Sequence, residues 1–208
     1  ELAGYQQIGE TAISIVPSEG VIGESDQPAR ALRQKPQASI VVATQLVKTG
    51  RADACVSMGS TGASMAAAAL ILGTMDGLER PCLGGPVVGL APRTIIIDVG
   101  TNVDCKPAQL LSFAIIGEVF ANQFWAVENP RIALLSVGSE TGKGNRQVRE
   151  ATALLEASGL NFIGNVEGND LPQGLADVVV CDGFAGNVVM KLTEGLGVSL
   201  IEHLKNTV

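Results

Sequence analysis

Four short polar segments, 57–62, 98–106, 138–145 and 181–187, hold most of the side chains that could do chemistry, and each lies between an apolar run and a helical pattern. In the first, glycines flank Ser60 and Thr61. The backbone N–H groups of Gly59, Ser60, Thr61 and Gly62, with two hydroxyls, can converge on an anion at the positive end of the helix that follows, a geometry that suits phosphate. The same residues equally make an ordinary N-cap and tight turn. In the third segment Lys143 stands between Gly142 and Gly144, where a flexible backbone can deliver an ammonium into a site, although solvated surface charge is the commoner role of such a lysine. A Walker A loop is not matched, because Asn145 occupies the place of the magnesium-binding Ser or Thr. In the fourth, Gly186 and Asn187 open a helix, and Gly186 is a further phosphate-binding candidate. Asn187 has an amide free to donate to a carbonyl or phosphate oxygen, or to cap the helix. In the second, Asn102, Asp104 and Lys106 either line a site or pair and cap locally.

Asp98, Asp104, Glu140 and Asp182 fall near one edge of the expected sheet and would suit magnesium, but capping and local pairing are the favoured reading, so no metal is called. His203 is the only histidine and lies in the last helical segment, which argues against Ser-His-Asp and Cys-His mechanisms.

The elements that must position these turns alternate in type. Strand-length apolar runs are expected at 12–16, 53–58, 94–99, 131–137, 161–166 and 177–181. Helical patterns occupy 39–48, 61–72, 107–124, 145–157 and 186–204, and the Gly- and Pro-rich stretch 80–92 reads as a loop or short edge hairpin. Repeated β-α units predict an α/β fold with a largely parallel sheet and flanking helices, and the carboxyl ends of such strands are where ligands bind. With 208 residues and no convincing linker, one α/β unit is the simplest domain reading. Aromatics make up only 3% of the chain, so Val, Ile, Leu and Ala must fill the core.

A net charge of -7 without a basic run argues against nucleic acid. Cys55, Cys82, Cys105 and Cys181 form no C-x-x-C pair and read as reduced core thiols. No apolar run reaches the roughly 18 residues of a membrane span.

Taken in order, the motifs resemble the phosphate acyltransferase (PlsX) family of bacterial phospholipid synthesis. The resemblance runs through Pro28-Ala29-Arg30-Ala31, the stretch 51–57, Asp98-Val99-Gly100-Thr101-Asn102-Val103-Asp104 with Lys106-Pro107, and Lys143-Gly144-Asn145. It continues through 161–167 and 176–184. It implies a fold similar to the isocitrate and isopropylmalate dehydrogenases and phosphotransacetylases, a homodimer, and transfer of an acyl group from acyl carrier protein to inorganic phosphate without a cofactor. Lys143 matches the family's active-site lysine, and Asn187 matches the asparagine closing its Asp-Gly-Phe-Thr-Gly-Asn turn. Ser60 replaces the usual Asn of the first turn, and Ala185 replaces the Thr of the last. The family's N-terminal strand and C-terminal amphipathic segment, the latter associated with membrane contact, are not matched. The sequence is therefore expected to be the central portion of a cytoplasmic enzyme that meets the membrane only peripherally.

The residues present suit that chemistry. Phosphate, with a second pKa of about 6, is largely a dianion at neutral pH and needs no histidine base. A thiol of pKa about 8.5 leaves readily as thiolate. What the site must supply is positioning and oxyanion stabilisation. An acidic carrier protein needs a local basic patch, for which Arg30, Arg33 and Lys35 are candidates beside the alternative of a solvated helix face. Competing readings are a phosphotransacetylase-like enzyme using acyl-CoA and a non-catalytic carrier-binding scaffold. A dinucleotide module lacks its G-x-G-x-x-G fingerprint.

Overall fold

Three runs of three or four apolar residues, Ile95–Ile97 (β4), Ile132–Leu135 (β5) and Val178–Val180 (β7), form the centre of a sheet and are almost entirely shielded from water. The structure is a computed structural model that describes residues 7–8, 11–140 and 142–207, with the side chains of residues 7, 8, 11 and 12 left aside. The chain divides after Gly73 into two compact units.

In the second unit, β4, β7, β5 and Phe162–Val166 (β6) run parallel in that spatial order, and Gly84–Gly85 (β3) pairs antiparallel on the outer edge of β4. Strand alternation divides the core in two. Ile95, Ile97, Ile132, Leu134, Val178 and Val180 face Leu110 and Phe113 of helix α4 (Pro107–Trp125) and Leu155 of helix α5 (Arg146–Glu156). Ile96, Ala133 and Val179 face the other way, toward Ala185, Val189 and Met190 of helix α6 (Gly183–Thr207) and toward the 83–91 loop. From Glu194 to Thr207 every residue of α6 is exposed, Leu196, Leu200 and Leu204 among them. At the amino-terminal ends of β5 and β7, Arg131 clamps Asp177, with Nη2 donating to Oδ1 at 3.0 Å and the backbone N–H donating to Oδ2 at 2.7 Å. Partial burial pushes the Asp177 carboxyl up, but the hydrogen bonds and charge of Arg131 outweigh it and hold the group below the usual range.

The expected parallel α/β architecture is therefore present, with helices and central strands within a few residues of the sequence reading. The stretch 80–92 contributes an edge strand, as one of its two readings had it.

The first unit departs further from expectation. A two-residue ladder joins Gln7–Ile8 (β1) to Thr11–Ala12 (β2), so the strand expected at 12–16 is not formed beyond Ala12. Helices α1 (Pro28–Gln34), α2 (Ser39–Lys48) and α3 (Thr61–Ala67), the last continued by a π-helical turn at Ala68–Leu72, pack around Leu32, Ala38, Val41, Ala63 and Ala67. The strand expected at 53–58 is not formed. A strand is held by its neighbours' hydrogen bonds, and no described residue pairs with this one. Its Val56 and Met58 are 90% and 99% exposed. Among the described residues no helix is long and apolar enough to cross a membrane.

Candidate active site

The helices that follow β5 and β7 leave on opposite faces of the sheet, α5 on one and α6 on the other. Adjacent parallel strands whose connections diverge in this way leave a crevice at their carboxyl ends, the usual ligand position of an open α/β sheet. A cavity of about 350 Å³ lies there. Leu134, Leu135 and Ser136 enter it from the end of β5, Gly144, Asn145 and Gln147 from the start of α5, and Cys181, Asp182 and Ala185 from β7 and the start of α6.

Each wall of the crevice is fixed by short-range chemistry. Asn145 is the N-cap of α5, its Oδ1 accepting from Val148 N at 2.9 Å. Gly144 before it has φ +98, and a Cβ there would meet Val148 at 2.5 Å, so only glycine admits this entry to the helix. Lys143, one residue earlier, is exposed and forms no ion pair among the described residues, and its stem lies over Gly138. Asp182 caps α6, Oδ1 accepting from Ala185 N at 2.8 Å.

Next to this crevice the 98–102 loop is wound around one carboxylate. Asp98 is 0% exposed. Its Oδ1 accepts from the backbone N–H groups of Leu83, Gly100 and Thr101 at 3.3, 3.2 and 3.1 Å. Its Oδ2 accepts from the backbone N–H and side-chain Nδ2 of Asn102 at 2.6 and 2.8 Å. Asn102 is thereby committed to the loop, its Nδ2 also donating to Pro81 O and its carbonyl accepting from Gly183 N at 2.7 Å. Gly186 is pressed onto the Asp98 carbonyl so closely that a Cβ would overlap it, and its own N–H is spent on Asp182 O. Asn187 reaches the same loop, with Nδ2 3.4 Å from Val99 O. Asp104 and Lys106 are exposed, and Lys106 N donates to Gln109 Oε1 at the start of α4. The four carboxylates considered for magnesium thus stand in separate local settings. Among the described residues no three His, Cys, Asp or Glu side chains are grouped to hold a metal ion.

Thiols surround this loop. Burial, reinforced by the charge of Asp98, pushes Cys82 up to about 12, and burial pushes Cys105 up to about 11. Burial and the nearby Asp182 and Asp98 carboxylates push Cys181 up as well. Thiolate is the nucleophile, and at pH 8 only about one Cys105 in 1,000 carries it. Cys55, in the first unit, is exposed. Maleimide labelling of the native protein at pH 8 is therefore expected to modify Cys55 alone, with all four thiols reacting after denaturation. Mass spectrometry of the labelled peptides checks this, and fast native labelling of Cys105 would contradict it.

The turn at 57–62 belongs to the first unit. Ser57 Oγ accepts from Gly59 N at 3.2 Å, and Ser60, the N-cap of α3, accepts from Ala63 N at 3.3 Å. Among the described residues no such bond engages the N–H groups of Thr61 and Gly62.

A family model described as a fatty acid synthesis protein matches residues 5–208. The chain belongs to this family. Among its relatives, a protein of Bacillus cereus named phosphate acyltransferase is 47% identical over 199 residues, covering 95% of this chain and 60% of its own. One of Bacillus thuringiensis with the same name is 48% identical over 198 residues, covering 94% and 60%. The chain thus spans about 60% of the length of these curated relatives. Among solved structures, the EutD phosphotransacetylase from Staphylococcus aureus superposes with a TM-score of 0.59 at 25% identity, over 80% of this chain and 58% of that one.

Within this fatty acid synthesis family member, the crevice brings Asp182 together with Ser136, Asn145 and Gln147, three residues the sequence reading did not select. Ser136 had a usable signal, since it is the first polar residue after the apolar strand. Gln147 had none, because the face of α5 it occupies depends on packing.

Proposed function

We propose that this chain carries the catalytic region of an acyltransferase that moves a fatty acyl group from acyl carrier protein to inorganic phosphate. The observation that carries this reading is the position of Lys143 and Asn187. One lies in the turn after β5 and the other in the opening turns of α6 after β7, the two strands that flank the crevice, in a member of this family. A phosphate oxygen forms a bond to the thioester carbonyl carbon as the carbonyl electron pair moves onto oxygen. Collapse of the tetrahedral adduct breaks the carbon–sulfur bond, giving acyl phosphate and a thiolate that takes a proton from water. Lys143 supplies charge against the phosphate, and Asn187 uses its remaining amide hydrogen toward the developing oxyanion. No cofactor or metal is required.

Arg30 and Arg33 on α1 support an acidic carrier as the donor. Both are exposed and outside any ion pair among the described residues, whereas Lys35 is engaged by Asp26 at 2.7 Å. By the same family resemblance the enzyme acts as a homodimer in the cytoplasm. A second reading, with coenzyme A thioesters as donors, draws on the likeness to the EutD phosphotransacetylase.

One assay separates the two. The protein is mixed with phosphate and either acyl carrier thioester or acyl-CoA, and acyl phosphate is trapped with hydroxylamine. Hydroxamate from the carrier thioester at the higher kcat/KM is the expected result. Preference for acyl-CoA favours the second reading, and no hydroxamate from either leaves a carrier-binding scaffold.

A further inference from the structure

Two atoms of the crevice wall are unfinished. Among the described residues, Ser136 Oγ and Gln147 Nε2 are both buried and both without a hydrogen-bond partner. Buried polar groups are nearly always paired, so two orphans lining one cavity call for a ligand that pairs them. Much of the wall is apolar, formed by Leu110, Leu134, Val148 and Ala185. Among the described residues no Lys, Arg or His lines the cavity, whereas the Asp182 carboxylate does, which disfavours an anion inside it. The complementary ligand is uncharged and largely apolar. It carries carbonyl oxygens for the Ser136 hydroxyl and the Gln147 amide, and an N–H for Asp182 Oδ2, whose companion Oδ1 is already taken by Ala185 N. A flexible chain with secondary amides meets each requirement, and a volume of about 350 Å³ is of small-ligand size.

We infer that the crevice receives the pantetheine-type arm common to acyl carrier protein and coenzyme A thioesters, with Ser136 and Gln147 donating to its amide carbonyls. This assignment rests on the acyl-transfer reading and places the phosphate outside the cavity. Ser136 and Gln147 are positioning residues. They leave the unliganded protein less stable than it could be, and the arm repays that.

Pantetheine itself is the probe, titrated into the full chain by calorimetry or saturation-transfer NMR. Binding to the unmodified protein is expected, weakened about tenfold in Ser136→Ala and again in Gln147→Met. Without ligand, Gln147→Met should melt about 2–4 °C higher, because an unpaired amide has been replaced by an apolar group of similar size. A residue that merely supports the fold would give a lower melting temperature instead. Two further arms distinguish the sources of the chain. Coenzyme A and holo-acyl carrier protein should both lose affinity in the variants, while apo-carrier, which lacks the arm, should not. KM for phosphate should stay unchanged. Failure of pantetheine to bind, equal affinity in all three proteins, or displacement of pantetheine by phosphate overturns the assignment. Its fate is separable from that of the reaction. Pantetheine binding without any hydroxamate overturns the acyl transfer and leaves the arm site standing, whereas hydroxamate formation with unaltered pantetheine affinity in both variants does the reverse.

Discussion

Lys143→Ala is expected to lower acyl phosphate formation by about 100- to 1,000-fold, the size of effect seen when one preorganised stabilising group is lost from a transition state. The side chain is exposed, and its contact in the fold is a stem laid over Gly138, while its position is set by the backbone through Lys143 N donating to Glu140 O at 3.1 Å and the tight turn at Gly144. Removing it should therefore leave the melting temperature nearly unchanged. That separation makes the variant informative, since a loss of rate cannot be blamed on a damaged fold. Hydroxamate trapping at saturating and limiting phosphate measures it, and Lys143→Arg, which keeps the charge, should recover part of the rate. Full activity in Lys143→Ala would remove this residue from the reaction. Asn187→Ala should cost less, about tenfold to 100-fold, because one of its amide hydrogens already points to Val99 O.

Asp98→Ala is the expected opposite case, a large loss of stability at a residue with no direct part in the reaction. Its carboxylate collects four backbone N–H groups and the Asn102 amide in a fully buried position, so alanine would strand all five donors at once. Each buried donor left unpaired costs about 1–3 kcal/mol, so even as the loop relaxes a loss of about 3–5 kcal/mol is expected. Urea unfolding followed by circular dichroism should show a correspondingly lower midpoint with an unchanged slope. Asp98→Asn keeps the shape but presents an amide hydrogen to a ring of donors, and should lie between the two. A loss under about 1 kcal/mol for alanine would mean that the loop holds its shape without the carboxylate.

These expectations show what the sequence made legible. Strand and helix order in the second unit was readable because Ile95–Ile97, Ile132–Leu135 and Val178–Val180 are apolar on both faces, α5 carries clear periodicity, and α4 and α6 are apolar runs too long for strands. Asp98 was read as one carboxylate among four at a sheet edge. Its role as the centre of a loop depends on Leu83, 15 residues earlier in the chain, donating to it, which no spacing rule reveals. Gly186 was read as a phosphate-facing glycine, whereas the structure gives it close packing against the Asp98 carbonyl. The run at 53–58 has strand composition, but composition cannot supply a partner.

The spatial order β4-β7-β5-β6 sets the schedule of folding. β7, the last of these strands in sequence, is the one that hydrogen-bonds to both β4 and β5. On a ribosome, β4 and β5 emerge with the gap between them unfilled, and neither face of the sheet can close until Val178–Val180 has left the exit tunnel and inserted. Joining Ile95 to Val178 closes a long loop before any contact rewards it, which makes sheet closure the slow step and exposes two half-made apolar layers until then.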